Sequence, residues 1–356
     1  MQNYDIVPMS RILIAVLNWG MGHASRSLPL IEGAIDLGWE VDIASTGDAM
    51  VWLKSRLKGN PKVKFFEKPG ATITYSRYFT MLTIAAQTPK LIKSIFDERK
   101  WTLEHVEKRS ISKIFSDNCY GVHHPDVPSV LMTHLLRFPV SSFFSPFAQI
   151  VIQKLVGRFD EIWVPDNPRG DHSISGILSS KTIHHNTKFI GILSRLNPSQ
   201  SNSTTPLVGM VSGPEPHRTT MENALRKWME LRGERGLIIA GKPGGGKSVM
   251  NNITTLYDPS DEEISEALCG SEIVICRSGY TTLLDLASLG KRAILIPTPG
   301  QKEQEMLCEV WADKFGFAKC TQRELENMRV PEISGIAPTS NGNHAAINEL
   351  AAWLKN

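Results

Sequence analysis

The sequence predicts two successive α/β units, each a doubly wound parallel sheet covered by helices on both faces. Three observations carry this. Short β-branched runs alternate with segments of helical periodicity. A polar, proline-bounded stretch at 197–206 (NPSQSNSTTP) interrupts the alternation. The chain has 356 residues, against ~100–200 for a usual domain.

Taken in order, 12–17, 41–45, 113–116, 129–132 and 161–164 read as strands of the first unit. After the break, 207–211, 237–240, 272–276 and 292–296 form a second series. Helices fill the gaps. One covers 27–37 and ends at Gly38, another covers 261–268 with Ser260 as N-cap, and a third covers 280–289 and ends at Gly290. The expected division is 1–196, a linker at 197–206, 207–340, and a C-terminal helical segment at 341–356. Ligands of such sheets bind at the carboxyl ends of the strands.

Composition narrows the function classes. Hydrophobic residues are 41% and charged residues 21%, ordinary for a folded globular chain. The net charge is +3 with basic residues scattered, which disfavours nucleic acid as the main partner. Five cysteines, none in a Cys-x-x-Cys pair, argue against a disulfide framework or a structural zinc site and fit a reducing compartment. The opening MQNYDIVPMSR has no apolar core of a signal peptide, and no run approaches ~18 apolar residues. A cytoplasmic location is the expectation.

The first strand is followed by Asn18-Trp19-Gly20-Met21-Gly22-His23 and a helix beginning near Ser25. Gly20 and Gly22 thus sit where free N–H groups and a helix dipole favour an anion. The dinucleotide fingerprint fails, because its third glycine position is Ser25 and the second strand ends on Ser45-Thr46 rather than an acid. Taken alone the loop is equally a tight turn; His23 at a cleft mouth gives it chemical interest.

The second half carries the more specific pattern. Residues 273–290 (IVICRSGYTTLLDLASLG) run from a strand through Arg277, Ser278 and Gly279 into a helix bearing Asp285, and 293–305 (AILIPTPGQKEQE) follow. This segment resembles the C-terminal domain of family 28 glycosyltransferases, in particular members that glycosylate a lipid-linked precursor. Gly20 to His23, 127–134 (VPSVLMTH) and 211–215 (VSGPE) are similar to further family segments, whereas 75–109 has no counterpart.

The resemblance implies a GT-B fold whose C-terminal helix returns to the N-terminal domain. It also implies a nucleotide diphosphate sugar, UDP-linked, held by the C-terminal domain. Transfer would invert the anomeric centre without a metal or other cofactor. Asp285 would take the ribose-binding role of the family's glutamate, and Gln304 that of the donor-sugar glutamine. Glu305 stands where the family has a second amide. Ser212 and Gly213 would cradle the diphosphate, with Arg218 or Arg277 adding charge. Each of these side chains alone is equally a surface or core polar residue; their order around one strand end gives them weight.

Inverting transfer needs a base for the acceptor hydroxyl. Three residues at predicted strand ends qualify: His23, Asp117 and His134. Asp117 or His134 is favoured as base, with His23 contacting the acceptor or transition state, and Asp117 is equally suited to orienting a histidine.

Two alternatives belong to other classes. Gly241 to Ser248 (GKPGGGKS) satisfies the phosphate-loop pattern of ATPases and kinases, yet the β-branched, Asn-rich 249–256 reads as loop and strand rather than the required helix. A non-catalytic nucleotide-sugar-binding protein would bind donor without turnover. No Asp-x-Asp pair is present for a metal-dependent transferase. Finally, 78–96 (YFTMLTIAAQTPKLIKSIF) is apolar, broken by Pro89, and carries Lys90 and Lys93. It reads as two core helical pieces or as a peripheral surface for the membrane of a lipid-linked acceptor.

Overall fold

The computed structural model describes residues 10–71, 87–137, 145–181, 183–199, 205–213, 215–242, 245–338 and 340–356. Among these residues the strands form two sheets. The first has the order β3 (Val63–Glu67), β2 (Glu40–Ser45), β1 (Arg11–Val16), β4 (Lys113–Asp117), β5 (Ser129–Met132), β6 (Glu161–Val164) and β7 (Thr187–Phe189), parallel throughout. Five of the six β1 residues are buried, as a strand covered on both faces demands.

The second sheet has the order β10 (Lys247–Met250), β11 (Ile253–Leu256), β9 (Gly236–Ile239), β8 (Thr205–Met210), β12 (Ser271–Cys276) and β13 (Ile294–Leu295). Of its pairs among the described residues, β10–β11 is antiparallel and the rest are parallel. In both sheets the winding direction reverses once: between β1 and β4 in the first, and between β8 and β12 in the second. Crevices open at such reversals.

Helix α1 (Met21–Asp36) buries Ala24, Leu28, Ile31 and Ile35 against the first sheet, a spacing of three and four residues. Helix α2 (Gly47–Arg56) follows β2, and α3 (Thr88–Arg109) precedes β4. Helix α4 is Ser145–Val156 and α5 is His217–Arg232. Around the second sheet lie α6 (Asp261–Cys269), α7 (Tyr280–Leu289), α8 (Lys302–Phe315) and α9 (Gln322–Glu326). The last helix, α10 (His344–Lys355), buries Ala346, Leu350, Trp353 and Leu354 in the core of the first sheet, with Trp353 edge-on to Trp163 at 5.9 Å. The chain therefore ends on the half in which it began.

Several elements differ from the sequence expectation for identifiable reasons. Helix α1 starts at Met21, ahead of Ser25 and Ser27, because Gly20 takes φ 80 as its N-cap and turns the chain early. Gly22 and His23 thereby enter the first helical turn. Pro89 lies within the first turn of α3, where its missing N–H costs nothing, and α3 holds the 88–96 part of that segment. Residues 78–86 of that segment lie outside the described residues, as do 200–204 of the expected linker.

The 292–296 strand shortens to two residues. The edge strands β3 and β7 were not expected, since partly exposed strands lack a full apolar run. Ser260 does cap α6, in a capping box with Glu263, and Gly290 ends α7 in the left-handed region at φ 64. The phosphate-loop pattern leads into no helix: Lys247 opens β10, which pairs back on β11 at the sheet edge, while Pro243 and Gly244 lie outside the described residues.

Helix α3 is tied to the first sheet by charge. Asp42 on β2 accepts hydrogen bonds from His105 Nε2 (3.1 Å) and from Arg109 Nε (2.8 Å) and Nη2 (3.0 Å). Burial alone would raise this carboxyl, but those bonds hold it below the usual carboxylate range. A depressed carboxyl stabilises the fold above its unfolded pKa of ~3.9 and loses that contribution as pH falls through the folded value. Asp42→Asn should therefore cost about 1.5–3 kcal/mol at pH 7, with a smaller gap to wild type at pH 3.5. Urea unfolding at both pH values measures this, and an equal gap would show that ionic charge is not what Asp42 contributes.

Candidate functional site

The sheets meet through the first turn of α7. Tyr280 Oη donates to the Pro165 carbonyl after β6 at 2.6 Å, and the Tyr280 ring lies flat on His134 after β5, with centroids 3.7 Å apart and planes at 7°. Next to it, Thr281 Oγ1 donates to the Gly22 carbonyl at 3.1 Å. A Cβ on Gly22 would stand 2.8 Å from Thr281 Oγ1, so this approach requires glycine. The first turns of α1 and α7 are thus brought together. Gly20 and Gly279, their N-caps, supply no side-chain cap, so the helix-end N–H groups are left for a ligand.

Behind α1 lies a buried ionic cluster. Asp117, at the end of β4, is fully buried and accepts from Arg26 Nε (2.9 Å), from Arg26 Nη2 and from Ser27 Oγ (2.9 Å). His23 Nδ1 stands 3.0 Å from Asp117 Oδ1 and 2.9 Å from Arg26 Nη2. One of the two Arg26 Nη2 hydrogens is directed at the carboxylate. With the proton assigned to Nδ1, His23 donates to Asp117 Oδ1 and keeps its lone pair on Nε2.

Burial would raise the Asp117 carboxyl, yet Arg26 and His23 hold it well below the usual range. Burial lowers the His23 pKa more than Asp117 raises it, so the imidazole is neutral at pH 7. The expectation that Asp117 could serve as the base is corrected on this ground: it is buried, charged and saturated with donors. It orients His23 instead.

His134 is equally committed. Its Nε2 lies 2.9 Å from Oε1 of Glu303 in the first turn of α8. Burial would raise the Glu303 carboxyl, but His134, His23 and Arg26 hold it below its ordinary value. Glu303 was not foreseen; its one signal was its position immediately before Gln304.

A cleft between the sheets is lined by Gly22 and Ser25 of α1, Thr281 and Asp285 of α7, Arg195 and Ser212 among others. Asp285 on α7 is buried and accepts from Ser194 Oγ at 2.5 Å. Burial pushes its carboxyl up to about 6, against the opposing pull of Arg195 and Ser194. Arg195, also unforeseen, donates from Nε to Ser25 Oγ at 2.7 Å and pairs with Asp261. Its guanidinium lies over one side of the Trp52 system at 5.1 Å, as does that of Arg56. Arg195 joins α1, α2 and α6 around the cleft.

The other expected donor-site residues divide. Ser212 lines the cleft and Gly213 follows it at the carboxyl end of β8, while Pro214 lies outside the described residues. Ser278 is buried and donates to the Gln304 carbonyl at 2.8 Å, fixing α8 to the end of β12. Gln304 spends its Oε1 on the Thr298 N–H at 2.9 Å, so only its amide nitrogen is left as a donor. Glu305 accepts from the Gly300 N–H at 3.3 Å and pairs with Lys302.

Neither arginine named from the sequence is poised for phosphate. Arg277 is fully buried and donates to the carbonyls of Pro297 and His217 (both 3.1 Å) and to Gln322 Oε1 (2.7 Å), bracing the ends of β12 and β13 against α5 and α9. Arg218 is held by Glu215 and the Gly241 carbonyl. A strand-end position was the reason for expecting Arg277 in the cleft; the side chain turns inward because these acceptors are already assembled there.

Residues 238–327 match the glycosyltransferase family 28 C-terminal domain. The UDP-N-acetylglucosamine--N-acetylmuramyl-(pentapeptide) pyrophosphoryl-undecaprenol N-acetylglucosamine transferase of Rhodopseudomonas palustris (strain HaA2) is 32% identical over 88 residues, 24% of each chain. Its counterpart in Bradyrhizobium diazoefficiens is 29% identical over 118 residues, 30% of this chain and 31% of that one. The chain thus spans about a quarter to a third of the length of these curated relatives.

Likeness of fold extends further. The structure of Acinetobacter baumannii MurG superposes over 90% of this chain and 89% of its own, with a TM-score of 0.54 at 12% identity. The glycotransferase of kitacinnamycin covers 97% of this chain and 91% of its own, with a TM-score of 0.63 at 13% identity. The chain has the GT-B fold and carries a family 28 glycosyltransferase C-terminal domain.

The raised Asp285 carboxyl has a thermodynamic signature. An acid whose folded pKa lies above its unfolded value destabilises the fold as pH rises between the two, here from ~4 to about 6, by about 3 kcal/mol in all. Asp285→Asn should be more stable than wild type at pH 7.5 and gain nothing at pH 4. Thermal unfolding across that range checks the point; parallel pH profiles would mean that Asp285 is solvated.

Proposed function

We propose that the chain is an inverting, metal-independent glycosyltransferase that moves a hexosyl or N-acetylhexosaminyl unit from a UDP-linked sugar to a lipid-linked acceptor. The observation that carries this is the meeting of two uncapped helix N-termini at the winding reversals of both sheets, beside a neutral histidine backed by a buried carboxylate.

The diphosphate lies between the first turns of α1 and α7, where N–H groups and helix dipoles from both halves favour negative charge. Arg195 adds a cation, and Ser212 with Gly213 borders the opposite wall. These donors take up the charge that develops on the departing diphosphate, with no metal or other cofactor required. Asp285, ionised at pH 7, accepts the ribose hydroxyls; Tyr257, Ile239 and Ile264 give the same cleft an apolar end suited to a nucleobase face. The Gln304 amide nitrogen donates to a sugar hydroxyl.

His23 acts as the base. Its Nε2 takes the acceptor O–H proton while the acceptor oxygen bonds to the anomeric carbon and the carbon–phosphate oxygen bond breaks on the opposite face. Asp117 stabilises the imidazolium that forms, and Arg26 keeps Asp117 ionised in its buried site. His134 is less suited to this role than the sequence suggested, since Nε2 is bound to Glu303 and the ring is covered by Tyr280.

The lipid-linked acceptor is supported by the names of the relatives and by α3. Ile92 and Phe96, four residues apart, are exposed beside Lys93. Glu98 of the same helix accepts from the Gly121 N–H at 3.2 Å, four residues beyond Asp117. This puts an apolar, basic helix end on the acceptor side of the first sheet, suited to an anionic membrane surface on the cytoplasmic side.

Calorimetry with UDP-, GDP- and dTDP-sugars, paired with transfer assays on lipid-linked acceptors, tests the reading. His23→Ala should lower turnover by roughly 10²- to 10⁴-fold with donor affinity retained. Arg195→Ala should weaken nucleoside diphosphate binding by roughly ten- to hundredfold. Lys247→Ala should leave donor binding as in wild type. Full turnover in His23→Ala would remove the assigned base, and magnesium-dependent ATP binding abolished by Lys247→Ala would replace the whole reading with that of a phosphate-loop protein.

A further inference from the structure

His134 holds a feature that the transfer mechanism leaves unused. The residue is 3% exposed, its Nε2 is bound to Glu303, and its Nδ1 is buried with no hydrogen-bond partner among the described residues. An imidazole nitrogen removed from water without a partner is costly, and native structures keep few such atoms without a purpose. The ring cannot turn to satisfy it. The Nε2 contact and the flat stack on Tyr280 fix its plane and its orientation.

The protonation pattern decides what Nδ1 can bind. In the neutral ring that donates from Nε2 to the Glu303 carboxylate, Nδ1 presents a lone pair. A phosphate or carboxylate oxygen offers only lone pairs and is repelled there, whereas a hydroxyl can donate. The position decides which hydroxyl. His134 is flanked by Tyr280 in the first turn of α7 and by Glu303 in the first turn of α8, next to Gln304. The phosphates are assigned to the former and the sugar to the latter.

We infer that His134 is a specificity-determining residue whose Nδ1 accepts a hydrogen bond from one ring hydroxyl of the sugar being transferred. The inference rests on the nucleotide-sugar reading above. It makes the first sheet, which supplies His134, a participant in choosing the donor sugar.

Two isosteric substitutions separate this role from a merely structural one. A glutamine amide reproduces Nε2 and an asparagine amide reproduces Nδ1. His134→Gln therefore keeps the Glu303 contact and loses the lone pair, and His134→Asn does the reverse. Binding of UDP, UDP-glucose and its 2-, 3-, 4- and 6-deoxy analogues is measured by calorimetry, with thermal unfolding to confirm that each variant is folded.

Wild type should bind one deoxy analogue roughly tenfold more weakly than UDP-glucose, the loss expected when a buried acceptor is left unpaired. His134→Gln should bind that pair alike with UDP affinity retained, and His134→Asn should keep the discrimination. Equal discrimination in wild type and His134→Gln, or none in wild type, overturns the inference while leaving the donor site standing. Absence of UDP and UDP-glucose binding in wild type overturns the nucleotide-sugar reading, and this inference with it.

Discussion

The entry of Tyr280 between the strand ends of the first sheet is the contact on which the site depends. Its hydroxyl satisfies a backbone carbonyl after β6, and its ring covers His134 after β5, so one side chain of the second sheet is built into the first. The α7 N-terminus is carried with it to the glycine turn of α1, where the missing side chain of Gly22 makes room for Thr281. Two helix ends of like polarity, which repel, are held facing a common space. A bound anion would relieve that repulsion. In the proposed reading, the preference of the cleft for an anion follows from this packing as much as from its basic side chains.

Electrostatic order around this contact runs in one direction. Arg26 neutralises Asp117, Asp117 fixes the His23 tautomer, and burial keeps His23 uncharged. On the other side, Glu303 holds His134. Each histidine has one nitrogen tied to a carboxylate, but their surroundings differ: His23 is partly exposed in the first turn of α1, next to Gly22 of the cleft lining, whereas His134 is buried under the Tyr280 ring. In the proposed reading, similar pairs serve different tasks, proton transfer in one and hydroxyl recognition in the other.

Much of the frame was legible in the chain. Strands β5 and β6 and helix α7 have the limits read from periodicity and end signals, and Ser260 and Gly290 behave as the cap and stop that their types suggest. What misled was local context at element ends. Helix α1 was expected to begin near Ser25, but the left-handed conformation of Gly20 starts it at Met21, and the neighbouring sequence does not reveal that conformation. Edge strands β3 and β7 escaped notice because half-exposed strands need no continuous apolar run.

The chain by itself determined two largely parallel sheets, their interruption near residue 200, and a glycine turn and a polar strand end in each half that suit an anion. These follow from patterns spanning a few residues, and a few residues suffice to encode them. Which polar groups act together was decided only by the tertiary fold, because the partners are far apart in sequence. His23 and Asp117 are separated by 94 residues, and His134 and Glu303 by 169. Arg195 joins Ser25 across 170. Arg277 directly follows β12, and Arg195 lies six residues after β7. The first is drawn inward by the carbonyls of Pro297 and His217 and by Gln322, and the second borders the cleft, since a guanidinium goes where acceptors converge and only the packed sheets bring those acceptors together.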